Sequence, residues 1–320
     1  MSILERYTIV RKLGHQSRRK FGELYLVENK ASGNSCVLKT IKKTEKNNHL
    51  VNRLKHEAQF SFESSGLPTI LDFHESSNEV LMIRKYIEGV TIDEYWGQLK
   101  RKERLPFFVK LVKELAEIQK ILDKKGIVHA DIKPSNIIVG ADDAQTIHLI
   151  DFGLAIDRTN IDHRKTLFPL GFAAPELLLN QLDLVNASTD MYALGIMIWR
   201  LFTGKLPLTH PNPSIFTNLQ LTHPLPNDHH LPKKLYPILL RMTMKHQFKI
   251  PPNKMKLHEV RPLLVEAMYS RYQSLEAIIP ELEALNTKKR FLFLPKKIFS
   301  KSQVKVKKKL TEQPALGKLL

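Results

Sequence analysis

Cysteine is almost absent from this chain. Cys36 is the only one, so neither an intrachain disulfide nor a cysteine metal cluster can form. A reducing, cytoplasmic setting is the expectation that follows. Long apolar runs are missing as well. The longest, near 196–202 and 235–240, fall far short of the roughly 20 residues of a membrane span. The first ten residues lack the apolar core of a signal peptide. No internal repeat is evident. Acidic residues vanish between Lys288 and Lys309, a stretch rich in lysine.

What remains is a chain of 320 residues with 42% hydrophobic content, enough for one large domain or two modest lobes. The formal net charge is +18. That excess suits a polyanion, an anionic membrane or nothing beyond a solvated tail. Much of it lies in 288–309, so any polyanion binding is a property of the tail first. There Phe291, Leu292, Phe293, Leu294, Ile298 and Phe299 alternate with basic clusters. Such a segment fits a solvated extension, or a peripheral anchor on an anionic membrane or an acidic partner. Nucleic acid is not expected.

The pattern changes along the chain. Partial alternation over 6–13, 21–29 and 36–41 predicts three strands, with Ser32-Gly33-Asn34 as a turn. Lys39 shares a strand face with Val37 and Ile41. A helix is expected over 48–63, with Leu50, Leu54 and Ala58 on one stripe and Glu57 beside it. Runs at 69–73 and 80–86 read as a hairpin completing a five-stranded sheet. Beyond Glu88-Gly89 the period becomes helical: 105–125 is a helix capped by Gly126, and 174–202 is largely helical. The segment 207–232, rich in Pro, His and Asn, reads as irregular. Helices resume over 235–245 and 263–285. Strands first and helices after predict two lobes with a ligand cleft between them.

The chain is organised around 127–139, IVHADIKPSNIIV. Two apolar runs hold a polar loop that carries His129, Asp131, Lys133 and Asn136. Asp151-Phe152-Gly153 follows another apolar run. Acidic and amide groups on two neighbouring rigid loops are what a divalent metal and a phosphate need.

These residues resemble the protein kinase family. HADIKPSN is similar to its catalytic loop, LIDFGLA to its metal-binding segment, Ala174-Pro175-Glu176 to the close of its activation segment, and VLKT at 37–40 to the strand with the ATP-anchoring lysine. The match covers about 7–285 and runs in the right order. The resemblance implies an α+β, two-lobed fold: 1–87 an ATP-binding lobe of five antiparallel strands and one helix, 88–286 a mainly helical catalytic and substrate lobe, and 287–320 a basic tail.

It also implies roles. Asp131 would orient the substrate hydroxyl and accept its proton. Lys133 would stabilise the transferred phosphate and points to Ser/Thr substrates. Asn136 and Asp151 would hold Mg²⁺, Lys39 the α- and β-phosphates of ATP, and Glu57 would fix Lys39. Gly14 and Gly22 would bracket the phosphate loop. His129 would brace the catalytic loop, Asp190 would bond its backbone, and Arg271 would pair with Glu176.

Each signal alone has a plain structural reading. Lys39 and Glu57 could be a surface ion pair, Asp151-Phe152-Gly153 a turn, His129 a core histidine and Asp190 an N-cap; it is their joint order that points to chemistry. Against the family pattern, the middle glycine of the phosphate loop is missing and Ser17-Arg18-Arg19-Lys20 intrudes. Ala130 replaces the arginine that receives an activation-loop phosphate, so activity is expected not to depend on phosphorylation at Thr159 or Thr166. Pro169 stands where a threonine near the substrate hydroxyl is usual, and Arg84 falls at the back of the adenine pocket. The expectation is a Ser/Thr protein kinase using ATP and Mg²⁺, cytoplasmic or peripheral at a membrane. A small-molecule kinase and an inactive scaffold are the alternatives.

Overall fold

The computed structural model describes residues 3–13, 22–161 and 168–286 of the chain. The fold is α+β and two-lobed. In the first lobe β1 (Tyr7–Leu13), β2 (Glu23–Asn29), β3 (Ser35–Lys42), β4 (Ile70–Glu75) and β5 (Glu79–Lys85) form one antiparallel sheet in the order β1-β2-β3-β5-β4. Helix α1 (Asn48–Glu57) crosses one face. Leu50, Val51 and Leu54 of α1 pack on Ile41, Val80 and Met82, while Tyr7, Val27, Cys36, Leu38, Leu81 and Ile83 close the other face. The alternation of β3 decides which side chains meet which. Lys39 pairs in register with Met82, so it points to the α1 side with Val37 and Ile41.

The chain leaves this sheet after Lys85. It enters β6 (Gly89–Thr91), then α2 (Ile92–Gln98) and α3 (Arg101–Lys124). Strands β7 (Ile127–Val128), β8 (Ile137–Gly140), β9 (Ile147–Leu149) and β10 (Ile156–Asp157) are short, and all lie next to the polar loops. The rest is α4 (Pro175–Leu178), α5 (Ala187–Thr203), α6 (Pro213–Thr222), α7 (Tyr236–Met242), α8 (Leu257–Ser270) and α9 (Ile279–Asn286). From Met191 to Trp199 helix α5 is apolar and buried on every side, as the centre of a helical core must be.

Three expectations need correction. Helix α1 stops at Glu57, six residues short of 63, because Phe60 and Phe62 turn inward to pack beside Phe152. The region 207–232 is not irregular throughout. Asn212 accepts hydrogen bonds from the amides of Ser214 and Ile215, and Pro213 takes the first helical position, so α6 forms. The helices expected over 263–285 begin earlier, at Leu257, and part into α8 and α9 where Arg271 turns inward. The tail beyond 286 lies outside the described residues.

Candidate active site

The loop between β7 and β8 is polar, yet it is buried. His129, Asp131 and Asn136 are each 3% exposed or less. Buried polar atoms must be satisfied, and here they hold one another. Asp190, on α5, accepts hydrogen bonds from the backbone N–H groups of His129 and Ala130, both at 2.8 Å. Burial pushes its carboxyl up to about 7, and those two N–H groups pull back against the rise. Asn186 is the N-cap of α5, so the N-cap reading of Asp190 does not hold.

These two bonds anchor a strained turn. Ala130 has φ +58° and Asp151 φ +66°, a left-handed region that costs a non-glycine residue roughly 1–3 kcal/mol. His129 accepts the Asp131 N–H at Nδ1, 3.2 Å, and so carries its proton on Nε2, which lies 3.1 Å from the Ile150 carbonyl. Burial lowers the pKa of His129, opposed by the nearby Asp131. A neutral imidazole thus ties the catalytic loop to the strand that leads to Asp151.

The functional side chains meet in one place. Lys133 Nζ donates to Asp131 Oδ1 and Oδ2 at 2.9 and 2.7 Å. Asn136 Nδ2 donates to the Asp131 carbonyl at 2.9 Å and to Oδ2 at 3.1 Å. Lys39 Nζ donates to Glu57 Oε2 at 2.5 Å and lies 3.9 Å from Asp151 Oδ1. Burial works against the Lys39 ammonium, but Asp151 and Glu57 outweigh it and raise its pKa. The Lys39–Glu57 contact is therefore a buried pair and not a surface one. Burial also opposes ionisation of Asp151, yet Lys39 and Arg53 overcome it and lower its pKa.

The oxygens present suit Mg²⁺. Asn136 spends its amide nitrogen on Asp131, and among the described residues its Oδ1 accepts only the Ser135 hydroxyl, at 3.2 Å. That oxygen and the Asp151 carboxylate are hard ligands of the kind Mg²⁺ prefers.

Of the remaining expected residues, Gly22 has φ +85°, and a Cβ there would lie 2.7 Å from the Thr40 carbonyl oxygen, so only glycine fits. Gly14, the insert at 17–20 and Thr166 lie outside the described residues. Thr159 is exposed, its hydroxyl on Asp157. Arg84 pairs in register with Val37, which puts it on the Lys39 side of the sheet. Its guanidinium donates to the Lys85 carbonyl at 3.2 Å, and burial lowers its pKa despite the pull of Glu57 and Asp151.

One residue of the site escaped the sequence reading. Arg53 Nη2 donates to Asp131 Oδ2 at 3.0 Å and to both oxygens of Asp151 at 3.2 Å. The available signal was its place four residues before Glu57, on the same face of α1. Its neighbour His56 adds a second tie, with Nε2 2.6 Å from the Ala155 carbonyl.

Comparison with known proteins follows the same lines. The family model "Protein kinase domain" matches residues 7–290. The serine/threonine-protein kinase pkn2 of Myxococcus xanthus is 26% identical over 294 residues, covering 87% of this chain and 34% of that protein. The serine/threonine-protein kinase PrkC of Bacillus subtilis (strain 168) is 28% identical over 256 residues, covering 76% and 38%. Serine/threonine-protein kinase D of Synechocystis is 28% identical over 295 residues, covering 86% and 53%. The chain thus spans about a third to a half of the length of these relatives.

Proposed function

This chain belongs to the protein kinase family, and from that premise we propose that it transfers the γ-phosphate of ATP to serine or threonine hydroxyls of protein substrates. One observation carries the reading. Asp131, Asn136, Asp151 and the Lys39–Glu57 pair come from separate elements of both lobes and converge on one cleft. Phosphoryl transfer needs little more from a protein than alignment and charge neutralisation.

Asp131 accepts the hydroxyl proton as the oxygen attacks, with Lys133 and Asn136 holding its carboxylate in place. Lys133, 2.7 Å from Asp131, would share the charge on the moving phosphate. Lys39, fixed by Glu57, holds the α- and β-phosphates. Bound Mg²⁺, on Asp151 and Asn136, would neutralise the phosphate oxygens. Because Ala130 leaves no arginine to receive a loop phosphate, the site is set up without one. A cytoplasmic setting, with the basic tail on an anionic surface, fits the charge distribution.

The test is ATP turnover in the presence of Mg²⁺, with the phosphorylated product identified by mass. Wild type is expected to label serine or threonine, on itself or on a protein substrate. Asp131→Asn is expected to lose about 10²–10⁴-fold in rate, the usual span for removing a general base. Equal, background turnover in both proteins would leave only a scaffold. A labelled small alcohol with no labelled protein would make the chain a small-molecule kinase.

A further inference from the structure

Arg53 stands where phosphoryl transfer does not require an arginine. A single nitrogen, Nη2, spans the carboxylate assigned to the hydroxyl and the carboxylate assigned to the metal. The side chain is only 17% exposed. Gly153 makes room for it, since a Cβ there would lie 2.6 Å from both Arg53 Cγ and Nε. A guanidinium does not lose its proton in a protein, so this positive charge is permanent. It is also mounted on α1, the helix that carries Glu57.

The charges around it decide what it can do. Asp131 already has Lys133, and Asp151 has Lys39 nearby. Neither carboxylate needs Arg53 merely to avoid standing alone. What Arg53 adds is a cation on the Asp151 oxygens themselves, the same oxygens a divalent metal would take. A metal there would meet the guanidinium at short range in a half-buried cleft, where charge repulsion is poorly screened.

Resting on the phosphoryl-transfer reading above, we propose that Arg53 is a positioning residue that serves as a built-in counter-cation. It holds Asp131 and Asp151 together, and it must leave Asp151 when Mg²⁺ and ATP bind. Metal entry then exchanges one cation for another, and the enzyme needs more Mg²⁺ than the bare carboxylates would. The contact also joins α1 to both catalytic loops. Binding therefore frees the helix at this point and leaves the Lys39–Glu57 pair in place.

The experiment is a Mg²⁺ titration of the binding of a fluorescent, non-hydrolysable ATP analogue to the full chain. Arg53→Gln is expected to lower the Mg²⁺ concentration at half-saturation by about tenfold, the factor set by no longer breaking a charged hydrogen bond. Arg53→Lys, whose shorter side chain keeps the charge but sets it further from the two carboxylates, should move it in the same direction by less. Thermal melting confirms that each variant is folded, and should Arg53→Gln not fold, the lysine variant carries the test.

A folded variant with an unchanged midpoint overturns the proposal and makes Arg53 a brace for α1. Weaker analogue binding at saturating Mg²⁺ overturns it too, since Arg53 would then be a phosphate ligand. Failure of wild type to bind the analogue at any Mg²⁺ concentration would instead remove the nucleotide reading itself, and the proposal with it.

Discussion

His129 shows how one side chain ties the chemistry to solution conditions. It is neutral and fully buried, and burial holds its pKa below the 6.5 of a free imidazole. The unfolded chain therefore takes up a proton at this site before the folded chain does. The stability that His129 contributes is complete above pH 6.5 and is lost as pH falls below it. Asp190 titrates with the opposite sign, because its pKa is raised and the folded state holds the extra proton. Comparison with a variant separates the two. His129→Gln is expected to melt lower than wild type at about pH 7.5 and to lose less on going to about pH 5.5. Thermal melts across that range are the measurement, and parallel curves would refute the account. Residue identities such as His129, Asp131 and Asn136 were readable because they lie within one short loop. The left-handed backbone of Ala130 was not readable, since it depends on two hydrogen bonds to a helix 60 residues further along.

At the scale of elements, α1 is the part that sequence described least well. Its apolar stripe was visible, and Glu57 beside it. Its end was not, because Phe60 and Phe62 leave the helix to pack on Phe152, a partner far away in the chain. Arg53 was hidden for a related reason. A lone arginine on an amphipathic helix usually faces solvent, and only the docking of α1 against the 151–155 segment brings it to Asp151. Helix α6, by contrast, had its signal in plain view in Asn212-Pro213, overshadowed by the Pro, His and Asn content around it. The docking can be probed without touching Arg53. Gly153→Ala places a methyl against the middle of the Arg53 side chain, 2.6 Å from Cγ and Nε before any shift. The side chain must then shift, and the expected shift draws the guanidinium off Asp151. The Mg²⁺ midpoint for analogue binding should then fall, as it does for Arg53→Gln, and an unchanged or higher midpoint would show that the guanidinium stays on Asp151 despite the methyl.

At the scale of the whole molecule, long-range pairs hold the larger lobe around the loops. The two-lobed α+β plan was legible in the shift from period two to a helical period near Glu88, but which distant charges meet was legible only through the family pattern. Arg271 and Glu176 are the clearest case. They lie 95 residues apart, 1% and 0% exposed, joined by two bonds of 2.7 and 3.0 Å. Arg271 also donates to the Met244 and Ser188 carbonyls and lies over the Tyr192 ring, its centroid 5.0 Å away. One guanidinium thus fastens α4, α5, the end of α7 and the start of the α8–α9 turn. A buried pair is not strongly stabilising in net, because desolvation offsets most of the attraction. Breaking it from one side is another matter. Arg271→Met leaves the Glu176 carboxylate buried without its guanidinium partner and takes a donor from the Met244 and Ser188 carbonyls. The expected loss is about 3–5 kcal/mol, a large share of the roughly 5–15 kcal/mol that holds a domain folded. The double variant Arg271→Met, Glu176→Leu removes the stranded charge and should recover part of that loss. Denaturant unfolding of wild type, both single variants and the double variant measures the coupling. A single variant that costs less than about 1 kcal/mol, or a double variant whose loss equals the sum of the two, would mean that the pair sits in the core without organising it.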